Sequence, residues 1–552
     1  MKIKKVLIKN FKSKRDYKIE FDKDLNIFVG DNDTGKSTML DAINLALTGR
    51  LNGYLLTSDI SPYLFNKEVA DEYLKEVNTG KKIIPPVIII EVYFFDDVSK
   101  EDNKLLGTQN TLKEGALGIH LEIKLNDENS KQYYEYLSEK IKANEEIKTI
   151  PTEYYHLYRR DFSDNMNGIS LYERKYNPIF IDTTTIKIQN GNDYFVQNII
   201  NETLEPDEQK NLSIKYKELK ETFSEDPKIG AVNKKLTTNS EITGREMNIS
   251  LDISSKNSWL RNLVSYIGGI PLSFIGKGEQ NKIKINLALN KGKGISDVVL
   301  IDEPENHLSF SRLNSLIKNI RQKSKDKQLI IVTHSHFITN KLGLKSLYIF
   351  NNLKEPLSLS DLNLDTQNYF KKLSDYDTLR LALSKKVILV EGPSDSLIVQ
   401  KIYKQNYKIL PIEDTDPVDI IAVRGLAFKR FLDIAKHLDM RVAVITDNDG
   451  NKEKALKRIK ELKERETDNI KIFTDNDTLN SSTLEPSLLN VDGNEKIIKN
   501  ILEKKDTTSK DDLLGFMVNL NNKTDVALKI FDSEEKINAP KYIRLAIEYV
   551  KK

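Results

Sequence analysis

Residues 27–38 read IFVGDNDTGKST, and the first half of the chain is best understood from this stretch outward. Apolar residues lead into a Gly-x-x-x-x-Gly-Lys-Ser turn, and an apolar pattern with helical spacing follows from Met39 to Leu47. Glycines at this spacing let backbone N–H groups point at phosphate oxygens, and the helix adds the positive end of its dipole. A glycine-rich turn that merely contains a lysine is the alternative, but the strand before it and the helix after it favour a phosphate-binding loop.

This loop predicts the binding of ATP or GTP together with Mg²⁺. Lys36 can reach the outer phosphates, and the Ser37 hydroxyl can ligate the metal ion. We expect six residues of the loop to surround the nucleotide: Gly30, Asn32, Gly35, Lys36, Ser37 and Thr38.

The composition narrows the class of protein. A chain of 552 residues is long enough for about three domains. Its net charge of only +3 does not indicate nucleic-acid binding, so any basic surface must be local. The absence of cysteine excludes disulfides, thiolate zinc sites and cysteine nucleophiles, and it agrees with a cytoplasmic location. No stretch approaches ~18 consecutive apolar residues, so we expect neither a signal peptide nor a membrane span.

Alternating apolar residues predict strands on both sides of the loop, and helical segments interrupt them. The predicted strands cover residues 6–12, 17–21, 87–95, 120–125 and 178–182, and residues 128–150 are helix-like. From 193 to 246 the chain is rich in Lys, Glu, Asn and Leu with spaced apolar residues, which predicts two antiparallel helices. A solvated surface hairpin and a dimerisation arm inserted in the ATPase explain this segment equally well.

Three later segments complete a nucleotide-hydrolysing site. Residues 298–303 read VVLIDE, a buried strand that delivers Asp302 to the magnesium shell and Glu303 to the attacking water. Residues 329–336 predict a further strand with His334 at its end. A lone histidine is usually structural, but the neighbouring motifs favour a contact between His334 and the γ-phosphate. Residues 272–281 read LSFIGKGEQN and precede a helix pattern.

In order and spacing these segments resemble the ATP-binding-cassette (ABC) ATPases of the repair and chromosome-maintenance type. Residues 276–280 are similar to their signature motif, which implies that Gly276, Gly278 and Gln280 belong to the nucleotide site. The resemblance implies ATP held between two such domains, with Gly278 of one copy facing Lys36 of the other. Two departures weigh against fast hydrolysis more than against binding. The signature reads IGKGEQ, and no clear glutamine ends the strand at 87–95.

The periodicity resets after about residue 376, where strands and helices begin to alternate. Strands are predicted at 386–391, 420–425 and 441–447, which indicates a small parallel sheet with helices on both faces. Glu391, Asp447 and Asp449 fall at the carboxyl ends of these strands, where reactive groups of such sheets collect. Clustered carboxylates repel one another, so they predict a Mg²⁺ or Mn²⁺ site. An acidic, solvated Asp-Asn-Asp-Gly turn is the alternative.

This second half resembles the Toprim domain of topoisomerases, primases and certain nucleases, with Glu391 as its single glutamate and Asp447 and Asp449 as its Asp-x-Asp pair. Together with the ATPase, it resembles the OLD (overcoming lysogenization defect) family of nucleases, which includes the Gabija nuclease subunit. The resemblance implies three further site members, because Asp395 and Glu485 match metal-site acids and Lys523 matches a lysine near the scissile phosphate. Lys541 is a weaker substitute for Lys523.

We therefore predict an α/β protein with an ABC-type P-loop ATPase domain that carries an inserted helical arm, followed by a Rossmann-like Toprim domain. The two parts of the ATPase are expected at residues 1–192 and 247–375. The helical insertion is expected at 193–246 and the Toprim domain at 376–552.

The predicted function is a nucleotide-regulated, divalent-metal-dependent DNA endonuclease, and the resemblance implies bacterial antiviral defence. Two Mg²⁺ or Mn²⁺ ions would be held by Glu391, Asp395, Asp447, Asp449 and Glu485, with Lys523 assisting at the phosphate. Expected partners are double-stranded DNA, ATP, further copies in a homodimer or homotetramer, and a helicase or other defence protein. The alternatives are a DNA-repair or chromosome-maintenance ATPase whose Toprim domain does not cut, and a structural clamp that uses the ATPase dimer for assembly alone.

Overall fold

The computed structural model describes residues 1–30, 34–52, 54–56, 59–81, 83–96, 105–163, 178–183, 188–189, 192–193, 204–239, 249, 263–290, 297–323, 327–335, 338–339, 342, 346–350, 355–372, 380–381, 384–423, 427–449, 453–475, 482–519 and 521–552. By their contacts, these residues fall into two units. The first contains Met1–Ile27 and Gly35–Thr333, and the second contains Phe28–Thr34 and His334–Lys552. The division falls inside the strand that leads into the nucleotide loop.

The first unit combines strands and helices. Its strands of four or more residues are β1 (Ile3–Phe11), β2 (Lys14–Glu20), β3 (Leu25–Gly30, which continues into the second unit), β4 (Ile88–Phe94), β5 (Ala116–Leu125), β6 (Tyr155–Asp161), β7 (Ile179–Asp182), β8 (Val298–Asp302) and β9 (Gln328–Val332). Its α-helices are α1 (Lys36–Thr48), α2 (Lys67–Asn78), α3 (Ser130–Lys142), α4 (Pro206–Glu225), α5 (Pro227–Asn239), α6 (Lys277–Asn290) and α7 (Phe310–Lys323).

An antiparallel sheet supports the helix of the nucleotide loop. Its order is β2-β1-β4-β5, with β6 beside β5. Ile88, Ile90 and Val92 of β4 are fully buried, because alternate side chains of a strand point to the same face. Helix α1 packs on this sheet, and its Met39 and Ile43 are also fully buried. Each such apolar side chain contributes about 1.5–3 kcal/mol, so the sheet fixes the position of α1.

A second sheet of the first unit is parallel, in the order β7-β8-β9. Strand β8 reads VVLID, and all five of its residues are buried, as expected for a strand that is covered on both faces. The beginning of β3 lies beside β9, where the Leu329 N–H donates to the Asp24 carbonyl at 2.7 Å. Because β8 ends at Asp302, this sheet presents Asp302 and Glu303 at its carboxyl edge.

The second unit also alternates strands with helices. Its strands of four or more residues are β10 (Leu347–Phe350), β11 (Lys386–Val390), β12 (Asp419–Ala422), β13 (Arg441–Ile445) and β14 (Ile470–Phe473). Its α-helices are α8 (Leu364–Lys372), α9 (Pro393–Tyr407), α10 (Phe428–His437), α11 (Glu453–Lys463), α12 (Leu484–Leu489), α13 (Asn494–Ile501), α14 (Lys510–Val518), α15 (Lys523–Asp532) and α16 (Lys541–Lys551).

A four-stranded parallel sheet in the order β12-β11-β13-β14 organises the second unit. Helix α15 packs on α9, and α16 packs on β13. Val390, Val399, Ile543 and Ile547 belong to the core between these elements and are at most 1% exposed. Because β11 and β13 are adjacent and parallel, their carboxyl ends lie side by side, which is the edge where the sequence places its acidic residues.

Most predicted elements are present, with shifted ends. The strand expected at 17–21 runs over Lys14–Glu20. The helix-like stretch at 128–150 is α-helical over Ser130–Lys142, after a 3-10 turn at Asp127–Asn129. The segment 193–246 contains the two helices α4 and α5, while residues 194–203 and 240–248 lie outside the described part. The domain boundaries and the dimerisation role of this segment stay predictions. None of the described helices is both long enough and apolar enough to cross a membrane.

Candidate functional site

The nucleotide loop leaves β3 at Gly30 and enters α1 at Lys36. A Cβ atom on Gly30 would lie 2.6 Å from the Phe350 carbonyl oxygen, so this position requires glycine. Gly35 has a φ angle of +87°, which favours glycine, and a Cβ atom there would lie 2.5 Å from Ser13 Oγ. Asn32 lies outside the described residues. Gly30 therefore packs closely against backbone, and Gly35 takes a left-handed conformation close to side-chain atoms.

Ser37 and Asp302 are brought together, as a shared magnesium site requires. Asp302 is 5% exposed, its side chain is hydrogen-bonded to Ser37, and its Oδ1 atom is buried with no hydrogen-bond partner among the described residues. Burial raises the pKa of Asp302 to about 7, and the charges of Asp182 and Glu303 contribute to this rise. The hydrogen bond from Ser37 opposes it. A hydroxyl beside an unsatisfied carboxylate oxygen fits the oxygen ligands that Mg²⁺ takes next to a nucleotide.

Glu303 is held in place by its backbone and by its neighbours. It has a positive φ of 49°, and its N–H donates to the Val332 carbonyl at 2.9 Å. Asn306 Nδ2 donates to Glu303 Oε2 at 2.8 Å, and the Thr183 hydroxyl donates to the carbonyl oxygens of both Asp302 and Glu303. A carboxylate that is fixed beside the magnesium ligand can orient an attacking water.

The residues of the predicted signature motif differ in exposure. A Cβ atom on Gly278 would lie 2.1 Å from the His307 carbonyl oxygen, so Gly278 packs against its own chain. Gln280 is buried, and its Nε2 donates to the Ile275 carbonyl at 2.6 Å. Gly276 is exposed with open space around it. His334, the first residue of the second unit's main segment, is half-buried.

Lys14 also belongs to this region, although no sequence motif indicates it. It begins β2, is 6% exposed, and has its Nζ atom 3.8 Å from the ring centroid of Tyr17. A Cβ atom on Gly35 would lie 2.6 Å from Lys14 Cε. Burial, and then the nearby charge of Lys36, lower the pKa of Lys14 to about 8. Two buried lysines at the start of a helix favour an anion. Only the pairing of β1 with β2 brings Lys14 there, and no local motif signals it.

The second group of predicted residues gathers at the carboxyl edge of the β12-β11-β13-β14 sheet. Glu391 directly follows β11, and Thr446 and Asp447 directly follow β13. Glu391 Oε1 accepts hydrogen bonds from the Thr446 hydroxyl at 2.6 Å and from the Asp447 N–H at 3.0 Å. The two strand ends are therefore tied together by the side chain of Glu391.

Asp395 and Asp447 carry strongly perturbed pKa values. Burial, and then the charges of Glu391 and Glu485, raise the pKa of Asp395 to about 6. Lys523 opposes this rise, and so does the Gly392 N–H, which donates to Asp395 Oδ2 at 2.8 Å. Burial, and then Asp395, Glu391 and Glu485, raise the pKa of Asp447 to about 8. Mutual repulsion of this kind favours the binding of a divalent cation.

Glu485 and Lys523 join the same group from distant parts of the chain. Glu485 lies in α12 and is 5% exposed, and Lys523 begins α15. Lys523 Nζ lies 2.9 Å from Glu485 Oε1. Burial works to lower the pKa of Lys523, but the charges of Glu485, Asp395 and Asp447 raise it above its ordinary value. Lys541, the weaker candidate, is exposed at the start of α16.

Asp449 completes the cluster, with a positive φ of 49°. Its Oδ2 atom lies 3.2 Å from a nitrogen of Arg458, a residue of α11 that the sequence did not single out. Eleven residues separate Arg458 from Asp447, and one arginine in a charged helix gives no signal without the fold.

The donor chemistry of this cluster suits Mg²⁺ or Mn²⁺, because carboxylate oxygens are hard ligands. Even so, nowhere in the described part of the chain do three or more His, Cys, Asp or Glu side chains stand close enough to hold one ion. The ion pairs of Lys523 and Arg458 occupy carboxylate oxygens that a metal would use. The carboxylate ligands are therefore of the right chemical type for such an ion, but their side chains would have to move to surround it.

Family models match two separate parts of the chain. Residues 1–114, which contain the nucleotide loop, match an "AAA ATPase domain", and residues 383–449 match an "Overcoming lysogenization defect protein-like, TOPRIM domain". The second match ends at Asp449 and contains Glu391, Asp395 and Asp447, so it covers the central acidic residues.

Similarity to individual proteins is more limited. The DNA replication and repair protein RecF of Lactococcus lactis subsp. cremoris is 49% identical over 49 residues, which is 9% of this chain and only 14% of the relative's length. A structure of an SMC head bound to the C-winged-helix domain of ScpA has a TM-score of 0.34 at 14% identity, covering 65% of this chain and 99% of that chain.

The C-terminal region of the Xanthomonas campestris pv. campestris OLD protein has a TM-score of 0.23 at 20% identity, covering 30% of this chain and 92% of that chain. The predicted α/β class and the predicted pairing of domain types are confirmed by the fold and the family matches. An ATPase domain joined to such a TOPRIM domain suggests nuclease activity. The chain thus combines an AAA ATPase domain with a C-terminal TOPRIM domain of the overcoming-lysogenization-defect type.

Proposed function

We propose that this chain is a divalent-metal-dependent DNA endonuclease whose cutting is regulated by nucleotide. The observation that carries the proposal is the cluster at one edge of the TOPRIM sheet. There, Asp395 and Asp447 are half-buried with raised pKa values, Glu391 ties the strand ends together, and Lys523 pairs with Glu485. A purely structural core would not gather so many carboxylates, because they repel one another.

The chemistry follows from this arrangement. Mg²⁺ or Mn²⁺ ions held by Glu391, Asp395, Asp447, Asp449 and Glu485 would supply an activated water and stabilise charge on the scissile phosphodiester. Lys523 holds its positive charge beside Glu485, where it can contact a phosphate oxygen whose negative charge grows during the reaction. Glu391 fixes the relative position of the two strand ends that carry the other ligands.

Nucleotide regulation is supported by the first unit. Lys36 is buried at the start of α1, and the Ser37–Asp302 pair leaves one buried carboxylate oxygen unsatisfied. Glu303, held by Asn306, can orient water for slow hydrolysis. ATP with Mg²⁺ binds there, and His334 contacts the γ-phosphate. Gly276, Gly278 and Gln280 of the signature motif contribute when a second copy closes over the nucleotide, with Gly278 facing Lys36 of the other copy. The proposed role is antiviral defence in the bacterial cytoplasm. There the protein acts on double-stranded DNA as a homodimer or homotetramer, together with a helicase or other defence protein.

A second candidate function is a DNA-repair or chromosome-maintenance ATPase whose TOPRIM domain holds metal and DNA without cutting. Two observations favour it. The relative matched over 49 residues is a DNA replication and repair protein, and three carboxylates do not converge on one point in the described residues.

Plasmid nicking separates the two functions. Wild type, Glu391→Ala, Lys36→Ala and a control are compared in Mg²⁺ and in Mn²⁺, with and without ATP. The control is Glu413→Ala, which changes an exposed acid between α9 and β12. We expect cutting by wild type and Glu413→Ala and none by Glu391→Ala. DNA-stimulated ATP turnover without cutting in either metal would favour the second candidate. Equal cutting by Lys36→Ala at every ATP concentration, with unchanged assembly, would exclude nucleotide regulation.

A further inference from the structure

Arg458 places a guanidinium group among the acidic residues of the TOPRIM edge. It lies in α11, and its side chain is only 15% exposed. One of its terminal nitrogens, Nη2, lies 3.2 Å from Asp449 Oδ2 and 3.5 Å from Glu391 Oε1. The same nitrogen donates to the Asp447 carbonyl at 2.8 Å and to the Thr446 hydroxyl oxygen at 3.3 Å. A single cationic nitrogen thus connects the ends of both strands that carry the proposed metal ligands.

Two positively charged side chains, Lys523 and Arg458, contact different acids of the cluster. Lys523 lies 2.9 Å from Glu485 Oε1 and is charged beside Asp395 and Asp447. Arg458 serves the remaining two acids, Glu391 and Asp449. Each acid at this edge is therefore under the influence of one positive side chain, although only Lys523 was expected there.

The contacts of Arg458 are not those of an optimal ion pair. Arginine binds a carboxylate best through two parallel N–H···O bonds, whereas here one nitrogen is shared among four oxygens. Its shortest contact is to a neutral carbonyl, and its Nε atom is buried without a hydrogen-bond partner in the described part of the chain. The guanidinium can therefore stay attached through the Asp447 carbonyl while Glu391 and Asp449 turn away from it.

We propose that Arg458 is a positioning residue that acts as an internal counter-ion for Glu391 and Asp449 and gives up these carboxylates when a divalent cation binds. This inference rests on the proposed function, because it concerns the same metal site. A divalent ion that uses the same oxygens would come within a few ångströms of the guanidinium. Like charges at that distance repel each other even at an effective dielectric constant of about 20. Arg458 therefore stabilises the ligand set without metal and lowers its affinity for metal.

A purely structural role makes a different prediction. If Arg458 only anchored α11 to the sheet, its replacement would loosen the ligands, so that stability and metal affinity would fall together. The counter-ion role predicts opposite signs, because loss of the guanidinium destabilises the metal-free protein but removes a charge that opposes the metal.

The test is a Mn²⁺ titration of the full-length protein without DNA or nucleotide, followed by calorimetry. An Asp302→Asn background keeps Mn²⁺ out of the nucleotide site. Arg458→Gln is compared with Lys457→Gln, which removes the same charge from an exposed neighbour in α11. We expect Arg458→Gln to bind Mn²⁺ about tenfold more tightly while its Tm in EDTA falls, and Lys457→Gln to match the parent. Unchanged or weaker binding by Arg458→Gln would overturn the inference.

Two further variants keep the result interpretable. If Arg458→Gln does not fold, Arg458→Met decides, because methionine removes the positive charge and keeps an unbranched apolar side chain. Severalfold tighter Mn²⁺ binding supports the counter-ion role, and equal or weaker binding contradicts it. Glu391→Gln tests the site itself. If Glu391→Gln binds Mn²⁺ as well as its parent, the proposed metal site is wrong and the inference fails with it. If Glu391→Gln binds less Mn²⁺ but Arg458→Gln does not bind more, only the inference fails.

Discussion

The nucleotide region and the TOPRIM edge have opposite electrostatic character. At the start of α1, Lys14 and Lys36 are both buried, and burial together with the charge of Lys36 lowers the pKa of Lys14 to about 8. At the TOPRIM edge, Asp395 and Asp447 are half-buried among other acids, and their pKa values rise to about 6 and about 8. The start of α1 is short of negative charge and the TOPRIM edge of positive charge, so each is prepared for a ligand of the missing sign. Asp302 is the exception in the nucleotide region, because its raised pKa favours a cation.

The two regions also compensate their charges differently. The acidic edge contains its own cations, Lys523 and Arg458, each within 3.5 Å of a carboxylate oxygen. In the nucleotide region, Lys14 instead lies over the ring of Tyr17 and beside the loop glycine Gly35. We therefore expect metal binding at the TOPRIM edge to compete with internal ion pairs, and nucleotide binding to relieve repulsion between two lysines.

Among the lysines of the two regions, the largest expected effect is the loss of cutting in Lys523→Met. Its ammonium group lies beside Glu485 at the metal site, and removal of one group that stabilises transition-state charge typically costs about 10²–10³-fold in rate. The measurement is single-turnover cleavage of a labelled duplex at saturating Mn²⁺. Lys541→Met is the matched control, since Lys541 is an exposed lysine at the start of α16. If Lys541→Met loses activity and Lys523→Met does not, the roles of the two lysines must be exchanged.

Lys36→Ala is expected to weaken MgATP binding by at least about 100-fold, because it removes charge-assisted hydrogen bonds to phosphate. Equilibrium binding of a fluorescent ATP analogue measures the effect, and Lys67→Ala, an exposed lysine at the start of α2, serves as the control. The TOPRIM edge should be unaffected, so Mn²⁺ affinity in the absence of nucleotide should stay at the wild-type value. An equal loss of ATP affinity in Lys67→Ala would mean that only general charge matters.

Lys14→Met is expected to lower MgATP affinity by about tenfold, less than Lys36→Ala, because Lys14 supports the loop from β2. The same binding assay applies, with Lys4→Met as an exposed control from β1. An affinity that rises in Lys14→Met would show that Lys14 opposes the nucleotide site through its repulsion of Lys36. Lys14 would then not be a cation that favours the nucleotide, and the contrast with the acidic TOPRIM edge would be wrong.

The smallest expected effect is a change in proton uptake. With a pKa of about 8, Lys14 is largely neutral above pH 8, and a bound phosphate would raise its pKa again. ATP binding should therefore take up a fraction of one proton between about pH 8 and pH 9, and affinity should decline as the pH rises through this range. Titration calorimetry in buffers of different ionisation enthalpy measures the uptake. Identical uptake by wild type and Lys14→Met would assign the proton to another group.

The same regions differ in how far their residues can be predicted from sequence. Gly30, Lys36 and Ser37 are neighbours in the chain, so a local pattern identifies them. Asp302 is recognisable because a buried strand ends on it, and its hydrogen bond to Ser37 agrees with that pattern. Lys14 escapes notice because its place beside Gly35 depends on strand pairing.

At the TOPRIM edge, Glu391 and Asp447 are predictable because each follows a strand of a parallel sheet. Glu485 and Lys523 were named only through the resemblance to a family, since α12 and α15 reach the edge by packing that no local pattern describes. Arg458 was missed for the same reason. Cations that neutralise an acidic cluster come from whichever element packs nearby, so the fold reveals them and the sequence does not.

The central proposal, that the acidic TOPRIM edge cuts DNA, is tested most directly by one measurement. Single-turnover cleavage of a supercoiled plasmid is followed across a Mn²⁺ titration for wild type and Asp447→Asn, a change that removes one charge with almost no change in shape. We predict that wild type cuts in a Mn²⁺-dependent manner and that Asp447→Asn loses at least about 10³-fold in rate at every Mn²⁺ concentration. Cutting by Asp447→Asn at the wild-type rate, or cutting by wild type in EDTA, would contradict it.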